Sequence, residues 1–577
     1  MIILGKGISI AYGIGFGKPI IKSKEKILQS FNKCPDAFTV EGELDKIKYS
    51  IQSLLENLHV YLSTREDLLD MYLEIINEIE EYVKYIINNE KLCANVALIK
   101  AMEHIIGMLS SSNSQLINFR VEDIVDIIYY LLYSLFHKDF LQQSHRHILI
   151  SDYISPIEIY LSLPYGLTGL VSSHGGITSH SAIVARSLGI PYVVYPSLDD
   201  ILTHISDDSI ILVDGYKGII AKIEKEEVDK YIKIEQDNKK LIQKFMNEVN
   251  AEAITLDGIR VSVLANVNTL EDARLAMSYN ADGIGLLRLE FMYMNRKMPP
   301  SEDELYNILS KISQIMNKRE VIVRALDAGG DKPIPYLKLH KEENPFLGLR
   351  GIRLLLREHP EILYDEVKAT LRAAADGGIF GFMIPMVSSL REVMEIRKII
   401  EDAKIELENK NIKHGEIKYG IMVEVPSIVL VLDKVARYID FISIGTNDLT
   451  QYLMAVDRTN ENVQYLYNEL SISSLKFINL IKNIANKYKL ELHICGEVAS
   501  REEAIPILLS LDILSLSMNP LFIPKIKYII RRLNIRQIKK RVKRILHTFN
   551  DENEPSELGR NIIKTHIPEF NTIFSLL

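Results

Sequence analysis

At 577 residues the chain is too long for one ordinary core, so two to four domains are expected. With 47% hydrophobic and 25% charged residues it is globular in composition and not a disordered or fibrous chain. A formal net charge of −8 argues against a protein that tracks the phosphates of a nucleic acid.

The three cysteines (Cys34, Cys93 and Cys495) have an odd count and no CxxC spacing, so neither a disulfide scaffold nor a zinc site is expected. The opening stretch, MIILGKGISIAYGIGFGKPI, is broken by Lys and Gly every few residues and does not have the form of a signal peptide. No apolar run reaches the roughly 20 residues of a spanning helix. A cytoplasmic protein without membrane insertion is expected.

Residues 1–22 are Gly-rich and strand-like. From 23 to 142 Gly and Pro are scarce and apolar residues recur at helical spacing, as in LLDMYLEIINEIEEYVKYII and VEDIVDIIYYLLYSLF. This predicts a helical bundle inserted into a small α/β domain, which resumes at 143 and runs through ILISDYISPIEI, GLTGLVSS, PYVVY, SIILVDG and GIIAKI to 224. Residues 225–251 are charged with helical period, a linker helix. Between 252 and 540, β-rich segments alternate with amphipathic ones: VSVLANV, GIGLLRLE, VIVRALDAGG, GFMIPMV, YGIMVEVP, FISIGTNDL, LHICGEV and ILSLSM. Eight such units over about 260 residues predict a closed (β/α)8 barrel. Residues 541–577 read as a helical tail.

Polar residues fall at the ends of these strands: Asn266, Arg288, Glu290, Arg324, Asp327, Glu424, Asn447, Asp448, Cys495 and Glu497. In a barrel all of those ends face one rim, where the active site sits. Arg288 and Arg324 on neighbouring strands suit a carboxylate or a phosphate, as does Arg458 just beyond the NDL strand end; ion pairs with Glu290, Asp327 or Asp457 are the plainer reading of a single arginine. Glu424 and Asp448 suit a Mg²⁺ ion shared with a phosphate, although Asp448 could instead cap a helix. The run Asp327–Lys332, DAGGDK, offers Gly amides and a Lys for an anion or is simply a turn. Cys495 is either a small core hydrophobe or a proton donor at the rim. In the middle domain, His180 follows Gly175, Gly176, Thr178 and Ser179 and opens a helix-like SAIVARSL; it is either a polar cap or an imidazole that accepts a phosphoryl group.

Together the segments GGITSHSAIVARSLGIP, GIGLLRLEFMYMNR, VIVRALDAGGDKPIPYL, ENPFLGLRGIR, IMVEVPS, FISIGTNDLTQYLMAVDR and CGEVA stand in the order of a known family. The sequence resembles enzyme I of the bacterial phosphoenolpyruvate-dependent sugar phosphotransferase system. The resemblance spans about Ile148 to Arg531. It implies that the phosphoryl group of phosphoenolpyruvate passes to Nε2 of His180 and on to a histidine of the phosphocarrier protein HPr, with release of pyruvate. It further implies that Arg288, Arg324, Asn447 and Arg458 bind phosphoenolpyruvate, that Glu424 and Asp448 hold Mg²⁺, Asp448 also lying against the substrate, and that Cys495 protonates the enolate of pyruvate. By the same resemblance, 23–142 docks HPr, 143–224 with 1–22 forms the swivelling phosphohistidine domain, and 252–540 is the substrate barrel and homodimer interface. Acidic positions Glu74, Glu78, Glu80 and Glu81 on the insertion would steer a basic partner.

Several positions depart from that family. Leu289 and Ala325 stand where a Thr follows each arginine, Ile177 replaces a basic residue, Ser510 and Asp512 replace two Gly, and Tyr72 takes the place of a His on the HPr-docking surface. Two alternatives share parts of this pattern: a pyruvate phosphate dikinase or phosphoenolpyruvate synthase-like enzyme, and a non-catalytic regulator that senses phosphoenolpyruvate.

Overall fold

The computed structural model describes the chain except residues 12, 23–32, 36, 63–65, 111–123, 126, 133, 136–145, 176–179, 207, 216, 295, 297, 330–333, 338–341, 459, 461, 549–553 and 571–577. It separates into two compact units, Met1–Asp237 and Asn238–Leu577.

The first unit is built on an eight-stranded mixed sheet. Its strands are β1 (Ile2–Lys6), β2 (Ile8–Ala11), β3 (Ile14–Lys22), β4 (His147–Ser151), β5 (Leu167–Ser172), β6 (Tyr192–Val194), β7 (Ile210–Asp214) and β8 (Ile219–Ile223), in the order β1-β8-β7-β3-β4-β5-β6-β2. The central strands β3 to β6 are parallel, and antiparallel pairs close both sides. Parallel strands covered on both faces need continuous apolar runs, and β4, HILIS, is buried at every position. The pairing of Lys18 with His147 through Lys22 with Ser151 makes β3 and β4 neighbours. The insertion therefore leaves and re-enters between adjacent strands and does not disturb the sheet.

Among the described residues the insertion contains α1 (Val40–Leu62), α2 (Glu66–Glu90) and α3 (Ala94–Ser110). On α2 the residues Tyr72, Ile75, Ile76, Ile79, Val83, Ile86 and Ile87 form one buried stripe. This corrects the docking expectation at Tyr72: its side chain is 2% exposed and packs in the core, so it cannot meet a partner from the surface. Of the acidic positions, Glu78 and Glu81 are exposed, Glu80 pairs with Lys84 at 2.6 Å, and the side chain of Glu74 lies outside the described residues.

A second correction concerns the cysteines. Cys34 and Cys93 are bonded, with their Cα atoms 5.5 Å apart despite a separation of 59 residues. Cysteine count and spacing give no sign of a pair that only tertiary packing brings together. The bond lies at the start of α3, where the Ala94 amide also donates to the buried Glu43 carboxylate at 2.7 Å. Helix α4 (His180–Leu188) lies between β5 and β6 in the chain, and α5 (Val228–Asn247), within which the boundary between the units falls, follows β8.

The second unit is a closed barrel of eight parallel strands. They are β9 (Ser262–Val267), β10 (Ile284–Arg288), β11 (Val321–Arg324), β12 (Phe380–Ile384), β13 (Lys418–Val423), β14 (Phe441–Ile444), β15 (Glu491–Ile494) and β16 (Ser515–Met518), with β16 pairing back to β9. Leu286, Ile322, Met383, Met422, Phe441 and Cys495 fill one interior cluster. Helix α6 (Pro360–Ala375) lies between β11 and β12 in the chain, and α7 (Thr446–Met454) follows β14.

The departures from the family pattern have local explanations. Leu289 and Ala325 are buried in the main apolar core, so methyl groups replace hydroxyls without leaving a polar atom behind. Asp512 keeps a left-handed backbone (φ 62°) that suits Gly, and its carboxylate pairs with Lys482 at 3.0 Å and with Lys539. Ser510 is fully buried and donates its hydroxyl to the Pro506 carbonyl at 2.7 Å. Ile177 lies outside the described residues.

A crosslink across a separation of 59 residues removes about 4 kcal/mol of denatured-chain entropy in the simple loop model. Calorimetry of the full chain should therefore show one thermal transition moving down when dithiothreitol is added. The same transition in Cys93→Ser should start low and not respond to the reductant.

Candidate active site

Strand ends gather the site on one rim of the barrel. In the parallel register of β10 and β11, Arg288 stands beside Arg324. Arg324 is 4% exposed; its guanidinium bonds Glu290 and lies 3.6 Å from Asp327. Burial works against its charge, but Glu290, Asp327 and Glu424 raise its pKa above the ordinary arginine value and keep it cationic. Arg288 is pushed the other way, by burial and by the charge of Arg324. Its Nε is buried without a hydrogen-bond partner among the described residues. A buried donor left open beside a second guanidinium is a receptor for an anion.

Glu424 directly follows β13 and is 1% exposed. Its Oε1 accepts the Met386 amide at 2.6 Å, an amide aimed by a left-handed backbone at Met386 (φ 60°). Burial, with Asp448 and Asp327 nearby, pushes the Glu424 carboxyl up to about 8. The close approach of the next strand needs Gly445, where a Cβ would stand 2.9 Å from Glu424 Oε2.

Asn447 and Asp448 lie in the first turn of α7. The cap of that helix is Gly445 with no side-chain hydrogen bond, so Asp448 does not serve as the cap. Its carboxylate instead accepts from Arg350 Nη1 at 3.1 Å and lies 3.8 Å from Arg458 Nη1. Asn447 Oδ1 accepts the Glu497 amide at 2.9 Å, tying the β14 end to the β15 end. Gly496 permits this crossing, since a Cβ there would come within 1.7 Å of Thr446 Oγ1.

Cys495, one residue past β15, is the free cysteine among the described residues and is buried. Its Sγ lies 3.6 Å from the Ile444 carbonyl. Burial above all, with Glu424 adding, pushes the thiol up to about 11, so it is held protonated at neutral pH, as an acid rather than a thiolate. Asn266 links this strand end to β16, donating to the Cys495 carbonyl at 3.1 Å and accepting from Ser517 at 2.6 Å.

Arg350 went unassigned in the sequence reading, where it appears only inside ENPFLGLRGIR. It is 1% exposed and makes a paired contact with Asp327 at 2.8 and 3.3 Å, as well as the bond to Asp448. Phe346 of the same segment lies beneath both Arg350 and Arg458, at 5.8 and 6.0 Å from its ring centre. His180 is the first residue of α4 in the first unit, and its side chain lies outside the described residues, as do Gly330, Asp331 and Lys332 of the DAGGDK run. His174, its sequence neighbour, is exposed, with Nδ1 2.8 Å from Ser173 Oγ.

The rim of the barrel thus gathers paired arginines, paired acids and a protonated thiol. The family model of the PEP-binding domain of PEP-utilising enzymes matches residues 243–535, and that of their mobile domain matches 143–218. The chain is 33% identical to the phosphoenolpyruvate-protein phosphotransferase of Mycoplasma capricolum over 95% of this chain and 97% of that protein. Its identity to the protein of the same name from Buchnera aphidicola is also 33%, over 96% and 99%, and to that from Haemophilus influenzae 33%, over 92% and 94%. The chain belongs to the phosphoenolpyruvate-protein phosphotransferase family and is an enzyme of that class.

The pairing of Arg350 makes a stability prediction that needs no substrate. Arg350→Met leaves Asp327, 0% exposed, with a buried charge and two lost bonds. Urea unfolding should show the barrel destabilised by about 3–5 kcal/mol.

Proposed function

We propose that the enzyme binds phosphoenolpyruvate at the barrel rim, transfers its phosphoryl group to Nε2 of His180 and then to a histidine of an HPr-type carrier, and releases pyruvate. The observation that carries this reading is the convergence on one rim of Arg288, Arg324, Glu424, Asp448 and the protonated Cys495. Arg288 and Arg324 would hold the phosphate and carboxylate, and Asn447 and Arg458 would complete the cradle. In phosphoryl transfer the protein mainly positions reactants and neutralises charge. The phosphorus–oxygen bond to the enol breaks as a phosphorus–nitrogen bond to His180 forms. The enolate left behind takes a proton at its methylene carbon from the Cys495 thiol, and solvent returns a proton to the sulfur.

The donor set fits a hard divalent cation. Glu424 and Asp448 supply carboxylate oxygens close enough for one to raise the other's pKa. Among the described residues no group of three or more His, Cys, Asp and Glu is arranged to hold a metal ion, so substrate oxygens and water would complete the shell. Bound Mg²⁺ would neutralise charge on the phosphate and enolate.

The start of α4 suits the acceptor: the first amides of a helix stabilise a phosphoryl group on His180. The insertion is proposed as the docking domain for the carrier, with Glu78 and Glu81 as exposed acids on α2. The domain limits of the sequence reading belong to this proposal, as does a homodimer through the barrel. Exposed apolar side chains on loops after barrel strands (Met298, Leu347, Leu430 and Tyr465) offer surface for the latter. Among the described residues no helix is long and apolar enough to cross a membrane, and a cytoplasmic enzyme is proposed.

Incubation with ³²P-labelled phosphoenolpyruvate and Mg²⁺ should give an acid-labile phosphoprotein. His180→Ala should abolish incorporation while phosphoenolpyruvate still binds. Glu424→Gln and Asp448→Asn should each abolish it through the barrel, and Cys495→Ala should slow pyruvate exchange by about 10²–10⁴-fold. Normal incorporation in all four variants would contradict the proposal.

A further inference from the structure

Behind the rim lies a buried acid that the phosphoryl-transfer chemistry does not use. Glu366 sits on α6 with 0% exposure, and its Oε2 accepts the amide of Leu326 at 3.2 Å. That amide is the first beyond the sheet: the Ala325 amide still bonds the Met383 carbonyl of β12 at 2.9 Å, whereas Leu326 has no strand partner. A buried amide without a partner would cost free energy, so Glu366 ends the β11 ladder. Arg324, bonded to Glu290, stands two residues before Leu326, and Asp327, bonded to Arg350, directly follows it. Tyr293, on the short helix Glu290–Tyr293 that follows β10, also faces Glu366 and is itself 1% exposed. One carboxyl group thus touches the β11 end and the helix after the β10 end, the two strands that carry Arg324 and Arg288.

We infer that Glu366 is a positioning residue for phosphoenolpyruvate: by accepting the Leu326 amide it fixes the strand end that aims Arg324. This rests on the proposal that Arg324 binds the substrate.

Neutrality follows from the surroundings. Among the described residues no cation pairs with Glu366, while its neighbours include Glu290, already committed to Arg324, and Asp365. The Tyr293 hydroxyl lies against the carboxyl group, and both side chains are buried. Burial above all, with those acids adding and the hydrogen bonds from Tyr293 and the Leu326 amide opposing, pushes the carboxyl up to about 8. A neutral acid and an amide side chain have nearly the same shape and reach, so glutamine should replace it. Aspartate keeps the acid but is one methylene too short to meet the Leu326 amide.

The test pairs Glu366→Gln with Glu366→Asp in the full chain, with Mg²⁺ and phosphoenolpyruvate. For Glu366→Gln, KM for phosphoenolpyruvate and kcat should stay within about twofold of wild type. For Glu366→Asp, KM should rise about tenfold with kcat changed less than about threefold, a split that general loss of folded enzyme would not give. Amide hydrogen exchange over 321–327 reads the same bond without substrate, and should quicken about tenfold in Glu366→Asp and stay unchanged in Glu366→Gln. Both variants like wild type, both impaired, or the aspartate better than the glutamine would each overturn the inference. Failure of the wild-type chain to turn over phosphoenolpyruvate would contradict the functional proposal instead, and the exchange measurement would still decide this one.

Discussion

Arg350 is the cation on which the rim depends. It is buried between Asp327 and Asp448, and those two acids follow β11 and β14, strands separated in the barrel by β12 and β13. Burial alone would strip its charge, yet the two carboxylates raise its pKa above the ordinary arginine value. The arrangement is costly for its parts and stable only when complete. It fixes Asp448, and through Asp327 it fixes the segment that follows Arg324. The acids that would face a metal and the arginines that would face an anion are therefore held by one shared network rather than by separate supports.

This network also divides charge in a useful way. Asp327 and Glu290 are committed to guanidinium partners. Among the described residues Glu424 has no such partner in contact; the Met386 amide holds one of its oxygens, and burial with neighbouring carboxylates raises its pKa. Arg288 carries a buried donor with nothing to meet. Among the described residues, Glu424 and Arg288 thus make no ion pair while Glu290, Arg324, Asp327, Arg350 and Asp448 do. Such imbalance is characteristic of a ligand site. Cys495 adds an acid of a different kind, its proton retained because the barrel interior cannot support a thiolate.

Much of this was legible in the sequence because a (β/α)8 barrel sends every strand end to one rim. Arg288, Arg324, Glu424 and Cys495 needed only strand periodicity to be gathered. Arg350 and Glu366 did not stand at strand ends, so that rule could not reach them: one lies in the segment after β11 and the other on a helix, where an acid ordinarily meets solvent. The pairing of Cys34 with Cys93 was hidden for another reason, since proximity across 59 residues comes from packing and leaves no local pattern. Tyr72 could have been read correctly. It falls in phase with Ile75, Ile76, Ile79 and Val83, and that stripe marked it as core before any family position marked it as surface.

The central claim is that the buried network around Arg350, not the rim side chains alone, makes the phosphoenolpyruvate receptor. Calorimetric titration of phosphoenolpyruvate into Asp327→Asn, in the full chain with Mg²⁺, tests it most directly. Asparagine keeps the shape of Asp327 but removes the charge that Arg324 and Arg350 share. Affinity at least about tenfold weaker than wild type, in a variant that remains folded, is the expected result. Unchanged affinity in a folded variant would contradict the account.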